Sequence, residues 1–136
     1  MATYVKFQPF VEAMAEKSHN LGSDQLKVAL TNSAPSAANS QLSDITEISY
    51  TNASTRNLTT SSSAQTSGTY KLVIADLTIT ASGGTVGAFR YVVIYNDTAT
   101  NDLLIAYFDY GSSITLNDTE TLLLDLDGTN GLLQVA

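Results

Sequence analysis

The strongest candidate for a chemically active motif lies near the end of the chain, where two carboxylates precede a glycine-rich turn. Asp125 and Asp127 are two residues apart and lead into the sequence Gly-Thr-Asn-Gly. Oxygen ligands at alternate positions are the arrangement that a calcium-binding loop uses. An EF-hand loop also needs a late glutamate, and no glutamate follows Glu120. The pattern therefore favours a tight turn before a short final strand, with a Ca²⁺ ion bound at residues 125–130 as the alternative.

Nucleophilic and acid–base catalysis have little support in the residue types. His19 is the only histidine, and the chain has no cysteine, so a Cys–His pair and a disulfide framework are excluded. His19 lies at the predicted end of a helix without a nucleophile motif nearby, and we expect it at the surface or at the helix cap. These observations predict a protein that is not an enzyme and that needs no metal or cofactor.

The seven tyrosines are the remaining residues with recognition chemistry. Tyr91 and Tyr95 share one face of a predicted strand, where they could stack against a sugar ring or anchor a protein interface. The pattern favours the other interpretation, in which these aromatic side chains form cross-strand pairs inside the fold.

Composition and charge limit the possible partners. The chain has 136 residues, of which 43% are hydrophobic and 14% are charged, and this fits one folded domain with a surface rich in Ser, Thr and Asn. Thirteen acidic and six basic residues give a net charge of −7, which argues against binding to nucleic acid and to anionic membranes. No segment has the apolar length of a secretory signal or a membrane span.

Periodicity predicts a helix followed by many strands. The spacing of Phe7, Phe10, Val11 and Met14 predicts one amphipathic helix over residues 6–20. Alternation over residues 26–31 predicts a strand with one buried face. The predicted regions are an N-terminal arm and helix (1–22) and a β-sandwich (23–136) that includes a loose polar segment (32–68).

The second half of the chain is an almost unbroken series of short apolar runs separated by Gly, Asn and Asp. This is the signature of an antiparallel β-sandwich. The first run, YKLVIADLTIT, is predicted as one strand with Val73, Ala75, Leu77 and Ile79 on one face. With weaker strands at 45–50 and 57–64 the total is about eight, which suggests a jelly-roll-like fold.

Several sequence phrases point to a family. The opening KFQPFVEAMAEKSHNLGSDQLKVALTNSAP, the later LSDITEI, and the phrases FRYVVIYND, DYGSSITL and DGTNG resemble a group of small tailed-bacteriophage virion structural proteins over nearly the whole chain. The resemblance implies a structural role and carries no catalytic signature. Size, fold and composition then suggest a capsid cement (decoration) protein, which clamps neighbouring major-capsid subunits on the outside of the head.

This interpretation implies partners and a location. The expected partners are the major capsid protein and sister copies in a homodimer or homotrimer, on the surface of a virion made in the host cytoplasm. The alternative function is a tail or fibre component that binds a receptor or glycan. We expect contacts from the N-terminal region and the loose segment, although the helix could instead close one end of the sandwich. The predicted interaction residues are Tyr4, Phe7, Phe10, Tyr50 and Arg56.

Overall fold

The computed structural model describes residues 2–136, and these residues form nine β-strands, one α-helix and one 3₁₀-helix. All strand pairs are antiparallel. The structure confirms a mainly antiparallel β fold with one helix, while the jelly-roll connectivity stays a prediction. The elements are β1 (Thr3–Lys6), α1 (Gln8–Ala15), β2 (Leu26–Thr31), the 3₁₀-helix (Leu42–Asp44), β3 (Thr60–Thr66), β4 (Thr69–Ile74), β5 (Leu77–Thr80), β6 (Val86–Asn96), β7 (Leu104–Leu116), β8 (Thr121–Leu124) and β9 (Leu133–Val135).

The largest sheet carries the core and has the strand order β1-β7-β6-β2. Alternate residues of β6 point to opposite faces, yet both faces are buried. Val92 and Ile94 are 7% and 0% exposed on one face, and Val93 and Tyr95 are 0% and 2% exposed on the other. A strand that is covered on both sides has a continuous apolar sequence, which explains the run YVVIY.

Two smaller sheets, β3-β4-β9 and β5-β8, supply the second layer. Leu72 of β4, Ile79 of β5 and Leu124 of β8 are buried in one hydrophobic cluster with Val92 of the large sheet. Side chains of β8 and of the large sheet also line the two sides of a common groove. The layers therefore pack face to face in a sandwich-like arrangement.

The run YKLVIADLTIT forms two strands, β4 and β5, separated by Ala75 and Asp76. Asp76 Oδ1 accepts a hydrogen bond from the Leu126 N–H at 2.9 Å, which ties the break to the chain after β8. The alternation of buried positions shifts by one residue across the break, because β4 buries Leu72 while β5 buries Ile79. The single continuous face predicted for this run is wrong.

The helix α1 is shorter than the predicted span of 6–20. It ends early because Lys17 adopts the left-handed region with φ 69° and the Ser18 N–H donates to the Ala13 carbonyl at 2.9 Å, a helix-ending pattern usually built on glycine. The residues directly before it form β1, which pairs with β7 and was not predicted. Within residues 2–136, no helix is long and apolar enough to cross a membrane.

The segment 32–68, predicted as loose, lies along the free side of β2 before it forms β3. A regular strand over 45–50 does not form, and the strand predicted at 57–64 begins only at Thr60. Backbone hydrogen bonds instead join the segment to β2, from Ile48 N to Leu30 O (3.0 Å), from Val28 N to Arg56 O (2.9 Å) and from Leu58 N to Leu26 O (2.9 Å).

The long strand β7 contains a large bulge. Its register with β6 passes from Asp109 opposite Tyr91 to Ile114 opposite Phe89, so four residues of β7 lie opposite one residue of β6. Gly111 lies within this bulge with φ 97°. Gly, Asn and Asp were expected to separate the apolar runs, but at Gly111 the strand bends and continues.

Candidate interaction surface

The first candidate surface is an apolar groove between the large sheet and β8, which we call the β7–β8 groove. Its volume is about 310 Å³. Two of its side chains are largely exposed, Tyr110 at 49% and Leu123 at 59%. Other lining side chains come from both layers and are mainly apolar: Phe89, Val92, Phe108, Ile114, Leu122 and Leu124.

The second candidate surface, the β1–β9 groove, lies between β1, α1 and β9 and has a volume of about 360 Å³. Tyr4, Val11 and Val135 line it and are 39%, 46% and 42% exposed. Met14 and Leu133 contribute further apolar surface, and Lys6 is the charged residue of the lining.

The two grooves meet at a contact between Tyr4 and Phe108. These residues are paired across β1 and β7, and their ring centroids lie 5.3 Å apart in an edge-to-face arrangement. Within residues 2–136, five large hydrophobic side chains are exposed, and all five line one of the two grooves. Exposed apolar groups concentrated in this way make the two grooves a candidate interaction surface.

An open strand edge accompanies the grooves. The Phe7 N–H donates to the Ile105 carbonyl at 3.1 Å, so alternation directs the backbone groups of Val5 towards β7 and those of Tyr4 and Lys6 outward. In residues 2–136, no further backbone group pairs with this outer side of β1. An open edge beside apolar grooves can accept a partner's strand or an apolar protein surface.

Of the three N-terminal residues predicted to make contacts, only Tyr4 lies at the surface. Phe7 is 0% exposed and its ring centroid lies 5.2 Å from that of Tyr107, while Phe10 is 2% exposed. Both phenylalanines belong to the core of this chain and present no side-chain surface to a partner. Through Phe10, α1 packs on the core of its own chain.

Tyr50 and Arg56 contact β2 instead of presenting a free surface. Arg56 Nη1 donates to the Val28 carbonyl at 2.7 Å, and Tyr50 Oη accepts from the Leu30 N–H at 2.9 Å. The Arg56 guanidinium lies 3.7 Å from the centroid of the Tyr50 ring. The Tyr50 hydroxyl donates to Glu47 at 2.7 Å, and burial followed by this hydrogen bond raises the pKa of Tyr50 well above its usual value. We call Glu47, Tyr50 and Arg56 the β2 seal.

The histidine expected at the surface is buried. His19 is 8% exposed, and its ring centroid lies 5.0 Å from that of Phe10. Its Nδ1 atom accepts a hydrogen bond from the Asn96 side-chain amide at 3.0 Å, and the same amide donates to Asp24. The partner of His19 is therefore an amide and not a nucleophilic hydroxyl, and the surface prediction was wrong.

The carboxylate motif at Asp125 and Asp127 forms a turn. Asp127 Oδ1 accepts from the N–H groups of Thr129 (3.1 Å) and Asn130 (2.9 Å), and Oδ2 accepts from Asn130 Nδ2 at 2.9 Å. These bonds, the backbone bond from Asn130 first, lower the pKa of Asp127. In residues 2–136, no three His, Cys, Asp or Glu side chains cluster around a common point for a metal ion. The Asp127 oxygens thus act as acceptors within the turn.

The strand tyrosines considered for sugar binding are inside the fold. Tyr91 and Tyr95 are 9% and 2% exposed. The Tyr91 ring lies edge-on to Tyr107 of the neighbouring strand, with 6.2 Å between centroids. This is the cross-strand packing that the sequence favoured, and it leaves neither ring free to stack on a sugar.

Comparison with protein-family models, with curated proteins and with solved structures finds no match to this chain. The resemblance to tailed-phage virion proteins therefore stays a prediction.

Proposed function

We propose that this chain is a capsid cement (decoration) protein of a tailed bacteriophage. It binds the outer surface of the head and stabilises contacts between major capsid subunits. The observation that carries the proposal is the position of all the large exposed hydrophobic side chains of residues 2–136 in two joined grooves beside an open strand edge. Adhesion needs such a surface, and it needs no catalytic group.

The chemistry of this surface suits a clamp made of many modest contacts. Burial of apolar area stabilises a contact by about 25 cal/mol per Å² before the costs of association. A single groove of this size therefore supports a modest interface. Repetition over a shell multiplies the effect, because each bound copy links neighbours that are already held close together.

Two grooves allow two kinds of neighbour. We propose the major capsid protein and sister copies, in a homodimer or homotrimer, as the partners of the β7–β8 and β1–β9 grooves together. Tyr4 and Phe108 join the grooves through their rings, so both contacts would share one region of the surface. The net charge of −7 favours a position on the outside of the shell, away from the packaged nucleic acid.

The glycan-binding alternative is less well supported by the geometry. It depended on tyrosines that present a free ring face, and Tyr91 and Tyr95 are buried. The exposed rings of Tyr4 and Tyr110 lie in grooves lined mainly by aliphatic side chains. Such a lining fits a protein surface better than a sugar, whose hydroxyls need polar partners.

The test is the location and copy number of the protein in purified virions of the phage that encodes it. Heads and tails are separated, and the protein is quantified in each by mass spectrometry against the major capsid protein. Hundreds of copies on heads support the cement proposal. A few dozen copies or fewer on tails support the receptor-binding alternative, and absence from both contradicts each proposal.

A further inference from the structure

A buried polar network surrounds the only histidine of the chain. His19 lies in the turn region between α1 and β2, packed on the Phe10 ring. Asn96, at the end of β6, is 0% exposed, and its side-chain Nδ2 donates to Asp24 Oδ2 and to His19 Nδ1. One amide thus joins the segment after the helix to the large sheet.

The hydrogen bonds fix the orientation of Asn96 and the tautomer of His19. Asn96 Oδ1 accepts from the N–H groups of Thr98 and Ala99, each at 3.0 Å, so the oxygen and nitrogen of the amide cannot exchange without loss of these bonds. Because Nδ2 is a donor, His19 Nδ1 must be the acceptor, and the ring proton lies on Nε2. Within residues 2–136, Nε2 is buried without a hydrogen-bond partner.

We propose that His19 is an acid-sensitive latch that holds the segment after α1 against the end of β6. Protonation places a hydrogen on Nδ1, directly opposite the Asn96 amide donor. Two donors then face each other in a buried site, and the His19 bond to Asn96 is lost, which leaves the bond from Asn96 to Asp24 as the remaining link of this amide to the segment after α1. Rotation of the amide would restore this bond only by breaking those to Thr98 and Ala99.

The surroundings of the ring offer little to stabilise a positive charge. Burial lowers the pKa of His19, and the nearby Asp24 carboxylate opposes this shift in part. Asp24 is the charged group that acts on the ring. Phe10 of α1 and Asn96 of β6, which contact the ring, carry no charge.

The direction of the pH effect follows from these contacts. The pKa of His19 is lower in the folded chain than its ordinary value of 6.5. Below that pH the unfolded chain binds a proton that the folded chain does not, so stability falls as the pH decreases through 6.5 towards the folded pKa. Acid is therefore expected to weaken the contact between the segment around 17–24 and Asn96 at the end of β6.

Nuclear magnetic resonance tests the latch directly, because the intact chain has a single histidine Cε1–H signal. We expect its titration midpoint below 6.5, together with a change in the amide signals of Thr98 and Ala99 at the same midpoint. A midpoint at 6.5 or higher, or amide signals that do not follow the titration, would overturn the proposal.

A variant gives a second, independent readout. His19→Asn retains an acceptor at the level of Nδ1 for Asn96 but does not titrate, whereas Glu16→Gln changes an exposed neighbour and serves as control. Between pH 7 and pH 5.5 we expect the melting temperature of the wild type and the control to fall by up to roughly 4 °C per pH unit beyond that of His19→Asn. Equal pH dependence in all three proteins contradicts the latch. If His19→Asn does not fold, the titration of the wild-type histidine signal supports or contradicts the latch by itself.

Discussion

At the β2 edge of the large sheet, residues 46–58 supply backbone and side-chain partners for the strand, whereas the β1 edge leaves its outer backbone groups open. Arg56 and Tyr50 bind the β2 backbone at Val28 and Leu30. At the other edge, Tyr4 exposes 39% of its side chain beside two apolar grooves. A closed edge cannot add a strand, and an open one can.

Tyr4, Tyr50 and Arg56 were all predicted to contact a partner, but they lie at opposite edges of the large sheet. Tyr50 and Arg56 are polar or amphipathic groups that satisfy this chain's own backbone. Within residues 2–136, the Tyr4 side chain makes no such hydrogen bond to the backbone. It lies where the two apolar grooves meet. We therefore expect the β2 seal to contribute to stability and the β1 side to bind a partner, and the two expectations can be tested separately.

The largest loss of stability is expected from substitution of Phe7, which anchors the end of β1 in the core. Phe7 follows β1 directly and is fully buried, so Phe7→Ala should lower the free energy of unfolding by about 3–5 kcal/mol. Tyr4→Ala, three residues away, removes one aromatic pair and should cost about 1 kcal/mol. Urea denaturation measures both values, and equal losses would contradict the division between anchor and surface.

The next largest loss of stability is expected from substitution of Arg56 in the β2 seal. Arg56→Ala removes a charged donor from the buried Val28 carbonyl, and the free energy of unfolding should fall by about 1.5–3 kcal/mol. The other arginine is the matched control, because Arg90 pairs with Asp109 at 2.8 Å on the surface. Arg90→Ala should lower stability less than Arg56→Ala does, because solvent screens its two-bond pair with Asp109. An equal loss in both variants would show that the seal is no stronger than a surface ion pair.

A smaller loss of stability is expected when the hydroxyl of Tyr50 in the β2 seal is removed. Tyr50→Phe retains the ring beneath Arg56 but leaves the Leu30 N–H without its acceptor, which should cost about 1–1.5 kcal/mol. Tyr110→Phe is the control, since that ring is 49% exposed in the β7–β8 groove. Thermal unfolding of the two variants should differ, and identical melting curves would show that the Tyr50 hydroxyl does not close the edge.

The smallest effect on stability, and the largest on binding, is expected in the grooves. The double variant Leu123→Ser and Val135→Ser changes exposed side chains from both grooves and should alter the free energy of unfolding by no more than about 0.5 kcal/mol per site. Its binding to heads that lack the protein should be strongly reduced. Gln65→Ser with Thr66→Ser, two exposed residues of β3, should bind normally, and normal binding of both variants would contradict the assignment.

Sequence patterns predicted the elements whose apolar residues recur at a regular spacing. They missed the element ends and the short strand that depend on contacts with other parts of the chain. The boundaries of β2 agree with the prediction, but the single buried face predicted for it is wrong, because Ala29 and Thr31 are as buried as Val28. The helix ends early at a left-handed Lys17, which helix propensity does not indicate. β1 has only four residues, too few for a periodic signal. The predicted strand at 45–50 is replaced by irregular chain along β2.

The interaction surface was less predictable, because a core residue and a contact residue have the same apolar character. Phe10 and Val11 both belonged to the predicted apolar stripe, yet they are 2% and 46% exposed. Leu123 offered a signal, since period-two counting places it on the face opposite Leu122 and Leu124. The grooves themselves arise where strands that are distant in sequence come together, and no local pattern encodes that meeting.

The most direct test of the central claim is a cryo-electron microscopy reconstruction of the virion that carries this protein. The account predicts density for many copies on the outer shell, with Tyr4, Leu123 and Val135 buried against a capsid subunit or a sister copy. The β2 seal, Glu47, Tyr50 and Arg56, should face solvent or its own chain. A reconstruction in which the seal forms the interface and both grooves remain exposed would contradict the account.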